Sequence, residues 1–244
     1  MGENRGIIMN KIYGGLTVLL LSSFVNFASA NDIYITQVGD TLDLDIVQDG
    51  TGNTIGDSVT GVDLDGSSMT FSISQVGNTN VVNALIKGST YVGTWTMDGS
   101  GNNIDFKCSS STTGDCDTVT ANIDIDGSNT NLDLYIGEND DSDSTNVTLD
   151  IDGNGNILAM NLDGKALALN YTIDNSVGSS ASSNLANTIT TTVTGTGLTG
   201  HNQTVSLIGG DNTIDITQSG TAQDQTVNLN LQTSGSDIDI TQSD

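Results

Sequence analysis

Two cysteines, one histidine and thirty carboxylates are the side chains here with chemistry beyond folding. Cys108 and Cys116 flank the stretch SSSTTGD. A catalytic thiol needs a base beside it, and a zinc site needs further nitrogen or sulfur ligands. The one histidine, His201, lies far along the chain in the polar stretch TGHNQT and reads as a surface residue. In an exported chain, two cysteines this close fit a disulfide, Cys108 to Cys116, closing a hairpin-like loop.

The carboxylates invite two kinds of chemistry. Clustered oxygens hold hard cations, and DGNGN (Asp152–Asn156) and ENDDSDS (Glu138–Ser144) are such clusters. Yet Ile157 stands where a helix–loop–helix calcium site has glycine, and the Gly-Gly-x-Gly-x-Asp nonapeptide of calcium-binding β-rolls is absent. Asp-Gly and Asn-Gly are in any case turn formers. No metal ligand is expected, and no cofactor beyond a weak dependence on Ca2+ or another cation. Glycoside hydrolysis needs two particular carboxylates in different environments. Here the aspartates are evenly spread, Glu138 is the one glutamate beyond residue 30, and Trp95 is the one tryptophan available to stack on a sugar. No catalytic residue is expected, and a parallel β-helix polysaccharide-active enzyme is the remote alternative. The run TITTTVTGT (Thr188–Thr196) raises ice binding by a flat threonine array, but such an array would repeat on every coil and this run does not.

A formal charge of −25 argues against nucleic acid and anionic lipid as partners, because both are polyanions. Beyond residue 30 only Lys87, Lys107 and Lys165 are basic. Residues 1–30 differ. Arg5 and Lys11 precede or open onto the apolar run GGLTVLLLSSFV (Gly14–Val25), and ASA follows at Ala28–Ala30. This is the pattern of a secretory signal peptide, and the run is well short of the roughly 20 residues of a membrane span. Residues 1–30 are expected to be removed, leaving 31–244 as one secreted or surface-associated domain with no inserted segment.

The elements that must position these groups are strands. Leu42, Leu44 and Ile46; Phe71 and Ile73; Ile123 and Ile125; Leu132, Leu134 and Ile136; Val147, Leu149 and Ile151; Leu167, Leu169, Tyr171 and Ile173; Ile214 and Ile216; Val227, Leu229 and Leu231; Ile238 and Ile240 all step by two, with Asp, Asn, Thr or Ser between. Period two marks a strand with one buried and one wet face. Clusters of Gly with Asp or Asn punctuate the strands: QDGTGN from Gln48, QVGNTN from Gln75, MDGSGN from Met97, IDGSNT from Ile125, IDGNGN from Ile151, LIGGDN from Leu207 and QSGTAQ from Gln218. Gly, Asn and Asp tolerate the positive φ of tight turns. The first six begin 27, 22, 28, 26 and 56 residues apart, and the last gap is expected to hide a degenerate copy in Ser176–Thr196. Half-steps of 11 run from Gln37 to Gln48 and from Leu207 to Gln218. A unit of about 22–28 residues, made of two halves, cannot bury its own apolar face and must stack on its neighbours. The expected fold is all-β, a β-solenoid or stacked β-arch, with an antiparallel β-sandwich as the alternative.

QDGTGN and QVGNTN resemble the Gln-x-Gly-x-x-Asn core of the curlin repeat, the unit of curli fibre subunits. Gln48, Gly50 and Asn53 match it, as do Gln75, Gly77 and Asn80; QSGTAQ keeps Gln218 and Gly220 with Gln223 in the asparagine place. MDGSGN, IDGNGN and LIGGDN keep Gly99 and Asn102, Gly153 and Asn156, and Gly209 and Asn212, while Met97, Ile151 and Leu207 replace Gln. The resemblance implies a secreted, non-enzymatic fibre or matrix subunit whose amides form hydrogen-bonded ladders along the stack. Where Met, Ile or Leu stands for Gln, the ladder is interrupted. Self-association head to tail is the expected partnership, with a glycan or cell surface as the alternative partner.

The phrase DIYITQVGD at Asp32 returns as IDITQSG at Ile214 and as DIDITQSD over Asp237–Asp244. Gln37 and Gln242 are thus expected in equivalent places of a first and a last half-coil, with no distinct cap expected after Gln242. Charge opposes stacking. Asp43, Asp45, Asp63, Asp124, Asp150 and Asp215 are expected on outer faces, and two such charges about 4.8 Å apart repel by about 0.8 kcal/mol in water.

Overall fold

The structure, a computed structural model, describes residues 18–19 and 31–243, except 51, 57–60, 78, 100–101, 109–115, 128, 138–141, 154, 175–186, 196–200, 210–211, 221–224 and 233–234. Strands account for all regular structure among these residues. The chain alternates between two sheets of nine and eleven strands. The first sheet runs Thr41–Asp49, Ser68–Val76, Thr90–Asp98, Thr118–Asp126, Ser144–Asp152, Leu167–Asp174, Asn202–Ile208 and Thr226–Gln232, with the two-residue strand Val18–Leu19 on its N-terminal edge. The second runs Asn31–Ile33, Asn53–Ile55, Asn80–Lys87, Asn103–Cys108, Asn131–Ile136, Ile157–Asp163, Thr188–Gly195, Thr213–Gly220 and Asp237–Ser243. Thr36–Val38 and Val62–Asp65 complete its first two rungs. Every strand pairs in parallel with the strand one full coil away, so the protein is a β-solenoid and not an antiparallel sandwich.

Register follows the turn motifs. Gln48, Gln75, Met97, Ile125, Ile151, Ile173, Leu207 and Leu231 form one column up the first sheet. The long gap between Ile151 and Leu207 therefore holds one rung, at Ile173, and not a copy in Ser176–Thr196. Of that stretch, Thr188–Gly195 belongs to the opposite sheet, and 176–186 lie outside the described residues. Leu207 and Gln218, one half-step apart, sit in different sheets, which is why 11 residues carry the chain halfway round a coil.

Alternate residues point inward and fill the space between the sheets. Phe71, Trp95 and Phe106 stack edge to face, with ring centroids 5.9 and 5.0 Å apart. Trp95 Nε1 donates to the Tyr91 hydroxyl at 3.0 Å, and that hydroxyl donates to the Phe71 carbonyl at 3.2 Å. Trp95 is buried and has no face free for a sugar. Gly93 makes room for this group, since a Cβ there would lie 1.9 Å from the Tyr91 hydroxyl oxygen. Cys108 and Cys116 are bonded. Their link closes the corner where the second sheet hands over to the first, because Cys108 ends a second-sheet strand and Thr118 begins a first-sheet one. It is a coil corner, not a hairpin.

Candidate functional site: stacked ladders and an open terminal coil

Parallel in-register stacking turns each recurring residue into a column. One column is rich in asparagine: Asn53, Asn80, Asn102, Thr130, Asn156, Asn187 and Asn212 are all buried where the first sheet turns into the second. In its second half the side chain of one rung captures the backbone of the rung before. Asn156 Oδ1 accepts the Thr130 N–H at 2.9 Å, Asn187 Oδ1 accepts that of Asn156 at 2.8 Å, and Asn212 Oδ1 accepts that of Asn187 at 3.1 Å. In the first half the amides cap carbonyls instead, Asn53 Nδ2 donating to Val76 O at 2.9 Å and Asn102 Nδ2 to Gly99 O at 3.3 Å. In the second half the side chains satisfy backbone N–H groups at the corner; in the first half Asn53 adds a second bond to a carbonyl that also accepts the Gly50 N–H.

Glycines align for a steric reason. A Cβ on Gly77 would lie 1.7 Å from the Gly50 carbonyl oxygen, and one on Gly195 would lie 1.7 Å from that of Gly164. Gly50, Gly77, Gly99 and Gly153 turn out of the first sheet, each N–H bonded to the next rung. Gly209 does the same with Gln232 O, and Gly220 sits over Gly195 at the opposite corner.

Glutamine behaves differently. In the first sheet Gln75 Nε2 donates to Gln48 Oε1 at 2.6 Å, and the column then becomes apolar at Met97. In the second sheet the column reads Gln37, Leu64, Ile86, Cys108, Ile136, Leu162, Val193, Gln218, Gln242. Gln242 Nε2 donates to Gln218 Oε1 at 2.7 Å. The second-sheet column thus carries amides at Gln37, Gln218 and Gln242 with apolar residues between, whereas the first-sheet column carries them only at Gln48 and Gln75 and is apolar from Met97 to Leu231.

Aspartates form a fourth ladder outside. Asp98, Asp126, Asp152 and Asp174 occupy successive rungs of one column, with Asp124 beside Asp150 in a neighbouring one. Partial desolvation first, and then Asp150 and Asp126, raise the Asp124 pKa above the usual carboxylate value; Asp152 is raised by desolvation and by Asp150, Asp174, Asp126 and Asp124. The lysines pair elsewhere: Lys87 with Asp63 at 2.9 Å, Lys107 with Asp105 at 3.1 Å, and Lys165 with Asp143. Asp43, Asp45, Asp63, Asp124, Asp150 and Asp215 all lie on the outer faces as expected, Asp63 partly covered by its pairing with Lys87. The pentapeptide DGNGN does not converge on a cation, because Asp152 faces solvent and Asn156 faces the core. No group of three or more potential metal ligands exists among the described residues.

His201 is not a surface residue. Its side chain is fully buried at the corner leading into Asn202–Ile208, and burial lowers its pKa against opposing pulls from Asp163 and the Gly195 backbone. Gln203, two residues on, is also buried, and neither of its amide atoms has a hydrogen-bond partner among the described residues.

The coil formed by Thr226–Gln232 and Asp237–Ser243 is more exposed than the coils before it. Val205, Leu207 and Ile216 are completely covered, but Leu229, Leu231 and Ile240, their successors in the same columns, are 36%, 39% and 43% exposed. Among the described residues no strand pairs with the outer edges of Thr226–Gln232 and Asp237–Ser243. No family model, curated protein or solved structure matches the chain. What the columns establish, they establish from this chain's own residues.

Proposed function

We propose that this chain is a secreted, non-enzymatic structural protein that builds an extracellular fibre, matrix or adhesive layer by stacking copies end to end. The observation that carries the reading is the open coil. Leu229, Leu231 and Ile240 lie on inward-facing positions yet are exposed, beside two strand edges that pair with no other strand among the described residues. Unpaired parallel edges with a bare apolar interior are templates for another strand pair. The curlin-like amide and glycine columns favour the same reading, because each new rung repeats contacts already made inside the molecule. Negative-stain microscopy and amyloid-dye binding on residues 31–244 test it. Unbranched fibres are the expected result, and a monodisperse monomer at all concentrations overturns the reading.

A second reading is favoured by the Asp98–Asp126–Asp152–Asp174 ladder: a monomeric acidic adhesin that binds divalent cations or a glycan through its first-sheet face. Calcium would then raise the melting temperature in proportion to the logarithm of its concentration, while the protein stayed monomeric.

A further inference from the structure

Buried amides in this chain mostly stack on their own kind. Tyr171, Thr191 and Gln203 are buried polar residues that do not. Tyr171 stands between Leu149 and Val205 in its column, Thr191 between Met160 and Ile216, and Gln203 between Leu169 and Val227. All three side chains point inward and are 2% exposed or less. None has a polar neighbour on the rung before or after it in its own column.

The two sheets bring the three together. Trp95 packs on Phe106 across the interior. Tyr171 follows Trp95 up its column through Ile123 and Leu149, and Thr191 follows Phe106 through Leu134 and Met160. Tyr171 and Thr191 therefore face each other. Burial raises the Tyr171 pKa and the Thr191 hydroxyl opposes the rise, which agrees with that placement. Gln203 lies over Leu169, one inward step from Tyr171. Thr191 and Val205 are shorter than the residues beneath them, Met160 and Tyr171, and leave room at this level.

Four atoms meet here without a hydrogen-bond partner among the described residues: Tyr171 Oη, Thr191 Oγ1, and Gln203 Nε2 and Oε1. The same count of inward steps sets Gln203 across from Gln218. That amide is engaged, its Oε1 accepting from Gln242 at 2.7 Å and its Nε2 donating to Thr226 O at 3.5 Å. Each bare buried polar atom carries a desolvation cost, and four in one place weigh heavily against the marginal stability of a domain. The set mixes an obligate donor, an obligate acceptor and two hydroxyls that can do either. Water satisfies such a mixture. A cation does not, because the Gln203 N–H would face it and the three side chains bring no carboxylate, imidazole or thiolate. His201, two residues before Gln203, is left outside the set because its corner adjoins residues 196–200, which lie outside the described residues.

We propose that ordered water is built into the core at this level, bridging the Gln203 amide to the Tyr171 and Thr191 hydroxyls. At about three bonds to each buried water, about two molecules satisfy the four atoms. The coil of Asn202–Ile208 and Thr213–Gly220 is then joined to the coil before it partly through solvent, whether or not copies of the chain associate.

A high-resolution crystal structure of the full chain, with solution NMR beside it, tests this. The expected result is water density roughly 2.7–3.2 Å from a Gln203 amide atom and from the Tyr171 or Thr191 hydroxyl. In solution the Gln203 side-chain amide should show a cross-peak to long-lived water, and Tyr171→Phe with Thr191→Val should abolish it. Gln203 bonded directly to Gln218 or Tyr171 with nothing between them, or a folded parent without the cross-peak, overturns the proposal. A melting temperature raised by added Zn2+, with a single ion in the density, overturns water in favour of a metal. A cross-peak that persists in the folded double variant overturns the hydroxyls as partners. The parent measurements decide the matter even where the variant does not fold.

Discussion

Asn187→Ala tests whether the asparagine column holds the coils together. Asn187 Oδ1 accepts the Asn156 N–H at 2.8 Å, and Asn156 is completely buried. Removing the acceptor strands that N–H at a corner where water has no access. Leaving a buried donor unsatisfied costs about 1–3 kcal/mol, more than the roughly 1 kcal/mol net worth of an average hydrogen bond. Asn187 Nδ2 has no hydrogen-bond partner among the described residues, which sets the expectation near about 2 kcal/mol. With a urea m-value of about 2 kcal/mol/M, the unfolding midpoint should fall by about 1 M. Thr130→Asn makes the matching gain test. Thr130 stands in the column where its neighbours carry amides, and its hydroxyl has no partner. An amide there can accept the Asn102 N–H, and the midpoint should rise by about 0.5 M. An unchanged midpoint for Asn187→Ala, together with a fall for Thr130→Asn, would refute the ladder as a source of stability.

Four further outcomes follow from the columns. His201→Leu should stabilise the protein at pH 7 by roughly 1 kcal/mol, because the buried ring nitrogens lack good partners. Its folded pKa is lowered, so the wild type should lose stability as pH falls below about 6.5, the unfolded value, and the variant should lose that step in thermal melts across pH. Asp124 and Asp152 act with the opposite sign: their raised pKa means stability is gained below the folded pKa and lost as pH rises through it. In dilute buffer the melting temperature of Asp124→Asn with Asp152→Asn should exceed wild type at pH 7, with the difference shrinking at 0.5 M salt as the charges are screened. Gly77→Ala should be among the most damaging single changes, by about 3 kcal/mol or more, since its Cβ meets the Gly50 carbonyl; denaturant unfolding reads the loss. Met97→Gln should cost less in the same assay than Ile125→Gln, because it can donate to Gln75 Oε1, a buried acceptor with no partner.

Much of this architecture is legible in the residues. Strict alternation in stretches such as Val147, Leu149 and Ile151 identifies strands and their inner faces, and the recurring Gly and Asn identify the corners. Parallel stacking follows because a repeated corner residue, such as Asn156 over Asn187, is useful only when it meets its own kind one coil on. What stayed hidden depended on coil length. The steps in the first column range from 22 residues, Ile151 to Ile173, to 34, Ile173 to Leu207, and only the register shows where the extra residues go. For the same reason His201 misleads. Its polar neighbours suggest solvent, but the strand beginning at Asn202 places it one step earlier on an inward position. The aspartate ladder did leave a signal, since Asp98, Asp126 and Asp152 each stand second in their turn hexapeptide. Counting charges alone cannot show that they face one another.

The glutamine columns are not continuous. In the first sheet the column passes from Gln48 and Gln75 to Met97, Ile125 and Ile151, which pack without hydrogen-bond obligations. Within the molecule, the Gln242 contact with Gln218 adds one directional amide bond at the last described rung.

The central claim is that the open C-terminal coil is an assembly surface. Sedimentation velocity of residues 31–244 beside the same chain carrying Leu231→Lys and Ile240→Lys measures it directly. Both substitutions lie on the exposed last rung and leave the interior coils untouched. The account predicts concentration-dependent growth to large species for the parent and a stable monomer for the variant. A parent that stays monomeric, or a variant that assembles as readily as the parent, would contradict it.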